Sequence, residues 1–290
     1  MELTRVLIAD DHETIRSGLR FIVNGMEGFE TCGEAADGRE AVDFALSLKP
    51  DIVVIATPPE SHAELVTLAC RAGVPVVVFD SDLKGEDHTS FVATDNVAAG
   101  RMAAEELARR MGDAGNVVVL RYLEGSASTA HREEGFLAAI KEHPNVHVVS
   151  DNQYGGATTE TAFATSENLL AAQKAETGAV QGIFAPNEST TFGMLLALRK
   201  ANLATKIRFV GFDVSPKLVA AVRDGSIDAL VLQSPFNMGY VAVKTMTQHL
   251  RGQPVDKRID TGARVATQAN LDTQEIKDLV QPDLKKWLGE

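Results

Sequence analysis

The sequence predicts an α/β protein in which mostly parallel sheets are covered by helices on both faces and the chain forms two lobes. Short β-branched runs alternate with longer helical stretches, the signature of parallel strands joined by helical crossovers. Those runs are nearly all apolar, as strands buried on both faces must be. At 290 residues the chain is long enough for about two domains of ordinary size, each with its own core.

Taken in order, strands are expected at Val6 to Ala9, Phe29 to Glu34, Ile52 to Ile55, Val76 to Phe79, Val117 to Leu120, Val146 to Ser150, Ile183 to Ala185 and Phe209 to Gly211, with a further run, Asp228 to Leu232, ending at Gln233. Between them Phe136, Leu137 and Ile140, and again Phe192, Leu195 and Leu196, recur at helical spacing and would face a sheet. Glycine and proline punctuate the ends: Pro50 before one strand, Gly73 and Pro75 before another, Pro216 in the first turn of a helix after Asp213. No internal repeat or low-complexity linker interrupts the pattern, so the whole chain is expected to fold.

Composition narrows the function. An apolar content of 44% suits a globular protein, and a formal charge of −12 without any basic run argues against nucleic acid, whose phosphates are bound by clustered Lys and Arg. Cys32 and Cys70 have neither metal-ligand spacing nor disulfide-scaffold density and read as buried thiols. Histidines 12, 62, 88, 131, 143, 147 and 249 lack the spacing of a metal site. No apolar run reaches membrane-spanning length and no export signal precedes the first strand, so the polypeptide as given is expected in the cytoplasm. The turn GSAST at 125–129 lacks the lysine of a phosphate loop, and no GxSxG elbow is present. Neither catalysis nor a cofactor is expected.

Two resemblances meet at Ile55 and Ala56. The text VLIADDHETIRSGLR, followed by FETCGEAADGREAVDFALSLKPDIVVI, resembles the first βαβαβ of a response-regulator receiver of the LuxR-tailed kind. In that family an aspartate would follow Ile55 and accept a phosphoryl group beside a magnesium-holding acidic pair. Asp10 and Asp11 match the pair, as a vestige; Ala56 replaces the nucleophile. Phosphorylation-gated signalling is therefore not expected.

From about Thr57 the segments GVPVVVFDSD, ATDNVAAGRMAAEEL, HREEGFLAAIKE, GIFAPNESTTFGMLLAL, VGFDVSP and DGSIDALVLQSPFNMGYVA resemble, in order and spacing, the ribose-type class I periplasmic binding proteins. The resemblance implies a periplasmic origin for residues 57–290, delivery of a sugar to an ABC transporter permease, and three crossings between lobes. Lobe 1 would hold residues 1–95 and 236–264, lobe 2 residues 96–235 and 265–290. Both ancestral fragments imply a flavodoxin-like lobe with strand order 2-1-3-4-5, so a recombined or engineered fusion would keep one continuous sheet across the join.

Sugar recognition calls for planar polar groups that accept from one hydroxyl and donate to the next. Such residues stand at loop ends: Asp80 after VVVF, Arg132 at the start of a helix, Asn187 after GIFAP, Asp213 after VGF, and Gln233 after DALVL. All five match the family's ligand positions, which implies carboxylates accepting sugar hydroxyls, Arg132 donating, and Asn187 and Gln233 doing both. Asn187 or Asp213 could equally cap a helix. Tyr154 and Phe236 fit either aromatic walls or packing at the edge of the cleft. The loop after the first strand, Asp10, Asp11, His12 and Glu13, replaces the family's aromatic cover with carboxylates, and Ser81 stands where an arginine is common. A weakened or lost affinity for a ribose-like sugar is the expectation.

Overall fold

A computed structural model describes residues 3–10, 13–56, 66–67, 70, 73–82 and 88–282. In chain order the first elements are β1 (Thr4–Asp10), α1 (Glu13–Gly25), β2 (Phe29–Ala35), α2 (Gly38–Leu48), β3 (Ile52–Ala56), β4 (Val77–Phe79) and β5 (Ser90–Ala93). Next come α3 (Asn96–Met111), β6 (Gly115–Arg121), α4 (Ala127–Ile140), β7 (Val146–Tyr154), α5 (Thr159–Ala172), β8 (Gly182–Phe184), α6 (Glu188–Lys200), β9 (Arg208–Phe212), α7 (Pro216–Arg223) and β10 (Ala229–Leu232). The last are α8 (Pro235–Leu250), β11 (Arg258–Asp260), β12 (Arg264–Thr267) and α9 (Gln274–Val280). The alternation is that of an α/β protein. Two compact units divide it: Met1–Ala93 with Pro235–Asp260, and Thr94–Ser234 with Thr261–Asp283.

In the first unit, β1 lies between β2 and β3, parallel to both, with Ala9 opposite Ala35 and Ile55, and Asp10 opposite Ala56. Alternation along β1 sends Val6 and Ile8 to one face, where they meet Leu19 and Val23 of α1 and Met246 of α8. Ala9 faces the other way, towards Ala35, Ala41 and Phe44. A second three-stranded sheet has the order β11-β5-β4, all parallel. The expected continuous sheet is thus broken: among the described residues no ladder joins β3 to β4. Side chains make the link instead, Val77 of β4 packing on the cluster of Val6, Ile8, Ile52 and Met246.

The second unit is one six-stranded sheet, β12-β10-β9-β8-β6-β7, parallel except for β12, which runs antiparallel to β10. Both faces are covered, as the apolar strands require. Val117, Val119, Phe184, Val210 and Phe212 pack against Leu107 of α3 and Phe136 of α4. Val118, Leu120, Ile183 and Phe209 face Leu169 of α5, Leu195 and Leu198 of α6 and Leu218 of α7. Since Arg264 already pairs with Leu232, the chain enters this unit at Thr261, earlier than the crossing expected near Val265. The end of the tail assigned to lobe 2 lies outside the described residues.

Helix ends follow their sequence signals. Asp95 caps α3 by accepting the Ala98 N–H at 2.9 Å, and Thr158 and Thr161 form a reciprocal capping box on α5. Helices α3 and α4 cross at backbone contact. A Cβ on Gly100 would lie 2.0 Å from the Arg132 carbonyl oxygen, and one on Gly135 would lie 2.0 Å from that of Val97. Only glycine allows that approach, and it brings the first turn of α3 onto the side chain of Arg132.

Candidate functional site

Strands β8, β9 and β10 are neighbours in the sheet, so the residues that follow them are neighbours too. Asn187 comes after β8, Asp213 directly after β9 and Gln233 directly after β10, all beyond the carboxyl ends where open α/β sheets bind ligands. Asp213 turns in the left-handed region, φ +65°, which aspartate tolerates better than most residues. Its N–H donates to the Val231 carbonyl at 2.9 Å.

The Asp213 carboxylate is the hub. Oδ1 accepts from Gln233 Nε2 at 2.6 Å and Oδ2 accepts from the Glu188 N–H at 3.2 Å, at the N-terminus of α6 where the free amides favour a negative group. Arg132 Nη1 stands 3.7 Å from Oδ2. Gln233 is buried, and its Oε1 has no hydrogen-bond partner among the described residues.

Arg132 is 3% exposed, and a buried guanidinium must be held by partners. Nε donates to Asn96 Oδ1 at 2.8 Å, Nη1 donates to the Pro186 carbonyl at 2.9 Å, and the guanidinium carbon sits 4.0 Å from the centre of the Phe212 ring. The residue lies in the second turn of α4, not at its start as expected, because Ser126 is the cap and the helix begins at Ala127. Asn187 does cap α6. Its Oδ1 accepts from the Thr190 N–H at 3.3 Å and from Thr190 Oγ1 at 2.5 Å, while Nδ2 donates to Ser189 Oγ at 3.3 Å. Asp213 does not cap the helix that follows it, whose cap position is Ser215.

Beside Arg132 on α4, Glu133 is buried and reaches the end of β6, where Oε1 accepts the Tyr122 N–H at 3.2 Å and Oε2 stands 3.0 Å from Arg121 Nε. Burial holds the Glu133 carboxyl above the usual carboxylate range, against the opposing pull of Tyr122 and Arg121. Arg121 Nη1 in turn donates to the Tyr154 hydroxyl at 2.9 Å. Tyr154 therefore ends β7 tied to a cation, with its ring exposed.

Four expected residues thus gather in the second unit: Arg132, Asn187, Asp213 and Gln233. Asp80 and Phe236 belong to the first unit. Asp80 is exposed at the end of β4 with φ +69°, its N–H donating to the Val92 carbonyl at 3.0 Å, and Phe236 is half-buried in the first turn of α8. Asp11 lies outside the described residues, and Asp10 closes β1.

Sequence reasoning missed Asn96 and Thr190, both buried polar residues that orient site side chains. A signal existed for the first. Asn96 shares the helical stripe of Gly100, Ala103 and Leu107, so a polar group there had to point inward. Among the described residues no group of His, Cys, Asp or Glu could hold a metal ion, and no helix is long and apolar enough to cross a membrane. Acceptors, one fixed guanidinium and an unsatisfied amide oxygen make a surface that can recognise hydroxyls.

The family model described as periplasmic binding protein domain matches residues 21–254, a span that starts inside the receiver-like stretch. The ribose import binding protein RbsB of Haemophilus influenzae is 32% identical over 217 residues, 75% of this chain and 72% of its own length. That of Escherichia coli is 29% identical over 215 residues, 73% and 70% of the two chains. Among solved structures, an Agrobacterium vitis ABC transporter solute binding protein with bound D-fucose superposes with a TM-score of 0.81 at 29% identity, covering 95% of this chain and 99% of that one. A carbohydrate transporter solute binding protein of Agrobacterium radiobacter in complex with D-arabinose gives a TM-score of 0.82 at 27% identity, covering 97% and 100%.

Proposed function

The chain belongs to the periplasmic binding protein domain family, and from that premise we propose that it binds one small monosaccharide, without catalysis, on the polar face formed by Arg132, Asn187, Asp213 and Gln233. The observation that carries this reading is the buried Gln233 Oε1 with no partner beside the Asp213 carboxylate. A buried acceptor left unmet costs about 1–3 kcal/mol, and a sugar hydroxyl is the donor that would satisfy it. By resemblance Asp80 is a ligand position as well, and the sugars bound by the relatives make a pentose or deoxyhexose the first candidate.

In this reading residues 1–55 are a receiver-like graft, supported by their text; the order β2-β1-β3 is one that both families share. Its cost falls on the ligand. Asp10, Asp11 and Glu13 follow the first strand where aromatic cover would favour a sugar ring, and bringing carboxylates to an apolar ring face is unfavourable. The ligand is bound more weakly than micromolar. Calorimetry against ribose, arabinose, fucose and allose tests both halves of the proposal. The expectation is weak heat with one sugar, at least about tenfold tighter binding in the Asp10→Asn/Asp11→Asn variant, and none in Asp213→Asn, which keeps the left-handed turn but loses the charge. Micromolar affinity in the unaltered protein would overturn the weakening, and Asp213→Asn binding as before would overturn the site.

A further inference from the structure

Two buried hydroxyls stand side by side in the first turn of α6. Thr190 and Thr191 are both fully buried, and a buried hydroxyl must find hydrogen-bond partners. Thr191 finds them on the sheet: Oγ1 accepts from the Phe212 N–H at 3.1 Å and donates to the Phe212 carbonyl at 3.4 Å. That fastens the turn to the end of β9, one residue before Asp213. Thr190 faces Asn187 instead. Its N–H and its Oγ1 both donate to Asn187 Oδ1, at 3.3 and 2.5 Å. The hydroxyl's single hydrogen belongs to that nearer acceptor, the Asn187 carbonyl being 3.2 Å away. The Thr190 methyl lies beside Gly155, where an added Cβ would come within 2.9 Å of Cγ2. Branching at Cβ leaves few rotamers in a helix, so with the methyl on Gly155 the hydroxyl is held on Asn187.

These contacts decide which way round the Asn187 carboxamide stands. A backbone N–H can only donate, so the atom facing Thr190 N is the oxygen, and two donors fill its two lone pairs. The NH2 end is what remains. One of its hydrogens is directed at Ser189 Oγ at 3.3 Å, and the other has no partner among the described residues. We propose that Thr190 sets the polarity of the site: it fixes Asn187 as a donor only, where the sequence suggested that Asn187 both accepts and donates. This role rests on the proposed sugar face and gives it a direction. From β8 to β10 a ligand meets a donor after the first strand, at Asn187, then acceptors after the next two, at Asp213 and Gln233. The sugar oxygen at Asn187 therefore accepts, and the hydroxyls at Asp213 and Gln233 donate. Thr190 touches no ligand in this arrangement; it acts through Asn187.

Two variants of the full chain separate this role from plain packing. Thr190→Val keeps the shape and the backbone cap and loses the hydroxyl, whereas Thr190→Ser keeps the hydroxyl and loses the methyl beside Gly155. Calorimetry with whichever of ribose, arabinose, fucose and allose gives heat, run alongside thermal denaturation, should show Thr190→Val binding about tenfold more weakly and Thr190→Ser binding within about twofold of the unaltered protein, whichever variant melts lower. Affinity that falls in step with melting temperature in both variants, or Thr190→Val binding undiminished, overturns the proposal. A second measurement needs no sugar. In nitrogen-15 correlated NMR spectra the Asn187 side-chain amide signals, identified by their loss in Asn187→Asp, should shift or broaden in Thr190→Val and stay in place in Thr190→Ser. Signals that stay in place in Thr190→Val overturn the role of Thr190. An absence of heat with every sugar counts against the sugar face instead, and the amide signals then decide the role of Thr190 by themselves.

Discussion

Glu133 shows how one residue can hold a site and oppose the fold. Its carboxyl sits above the ordinary range because burial penalises the charged form, so the native state binds its proton more readily than the unfolded chain does. The sign follows: the contribution of Glu133 to stability is largest below the ordinary carboxylate pKa and is lost as pH rises through the raised native value. The melting temperature of the unaltered protein relative to Glu133→Gln should therefore be higher at pH 4.5 than at pH 7, which paired thermal scans at the two pH values would show. The reverse order would mean that Arg121 outweighs burial. From sequence alone Glu133 was invisible, because the HREEGF text offers two adjacent acids and nothing in it says that one faces the core. Asp213 and Gln233 were legible for the opposite reason: each stands at the end of an apolar run, where chain direction alone fixes the side of the sheet.

Among the elements, the crossing of α3 and α4 bears most directly on recognition. Gly100 and Gly135 meet backbone rather than side chains, so neither contact can be relieved by a rotamer change. Gly100→Ala should destabilise the second unit by about 2–3 kcal/mol or more, measured by urea denaturation, and should also displace Arg132 and weaken any ligand. Gly112→Asn tests the contrast, since φ +70° at a helix end with nothing within 4 Å should cost well under about 1 kcal/mol. Long strands with β-branched runs were legible in the text, and so were the helices with a clear stripe. β5, β11 and β12 were not expected: Arg258–Asp260 and Arg264–Thr267 begin on a charged residue and Ser90–Ala93 on a polar one, so none shows the uninterrupted apolar run that marked the equally short β4 and β8. Val146 to Ser150 was read short of Tyr154 because Asp151, Asn152 and Gln153 look like a loop, although here they continue an edge strand with solvent on one side.

For the molecule as a whole, the two units differ in how their apolar residues connect. Among the described residues, the second has two extensive clusters on either side of one sheet, and the first has three small ones spread over two short sheets. Opening free energy follows buried apolar contact, so hydrogen exchange should be slower for amides of Phe209–Phe212 than for those of Val6–Ala9. Equal protection would show that the units unfold as one. The division into units was read through resemblance, whereas the gap between β3 and β4 had no counterpart in the sequence, where both strands look equally apolar. The first unit is also discontinuous. Its β5 waits for Arg258–Asp260 and its β1 cluster for Met246. On the ribosome, at about 5–20 residues per second, the early part of this unit would spend roughly 10–30 s with Val6 and Ile8 lacking Met246 and Phe91 lacking its partner strand while the intervening unit is made. Yield during synthesis should therefore be sensitive to that arrangement, because transiently exposed apolar surface favours misassembly.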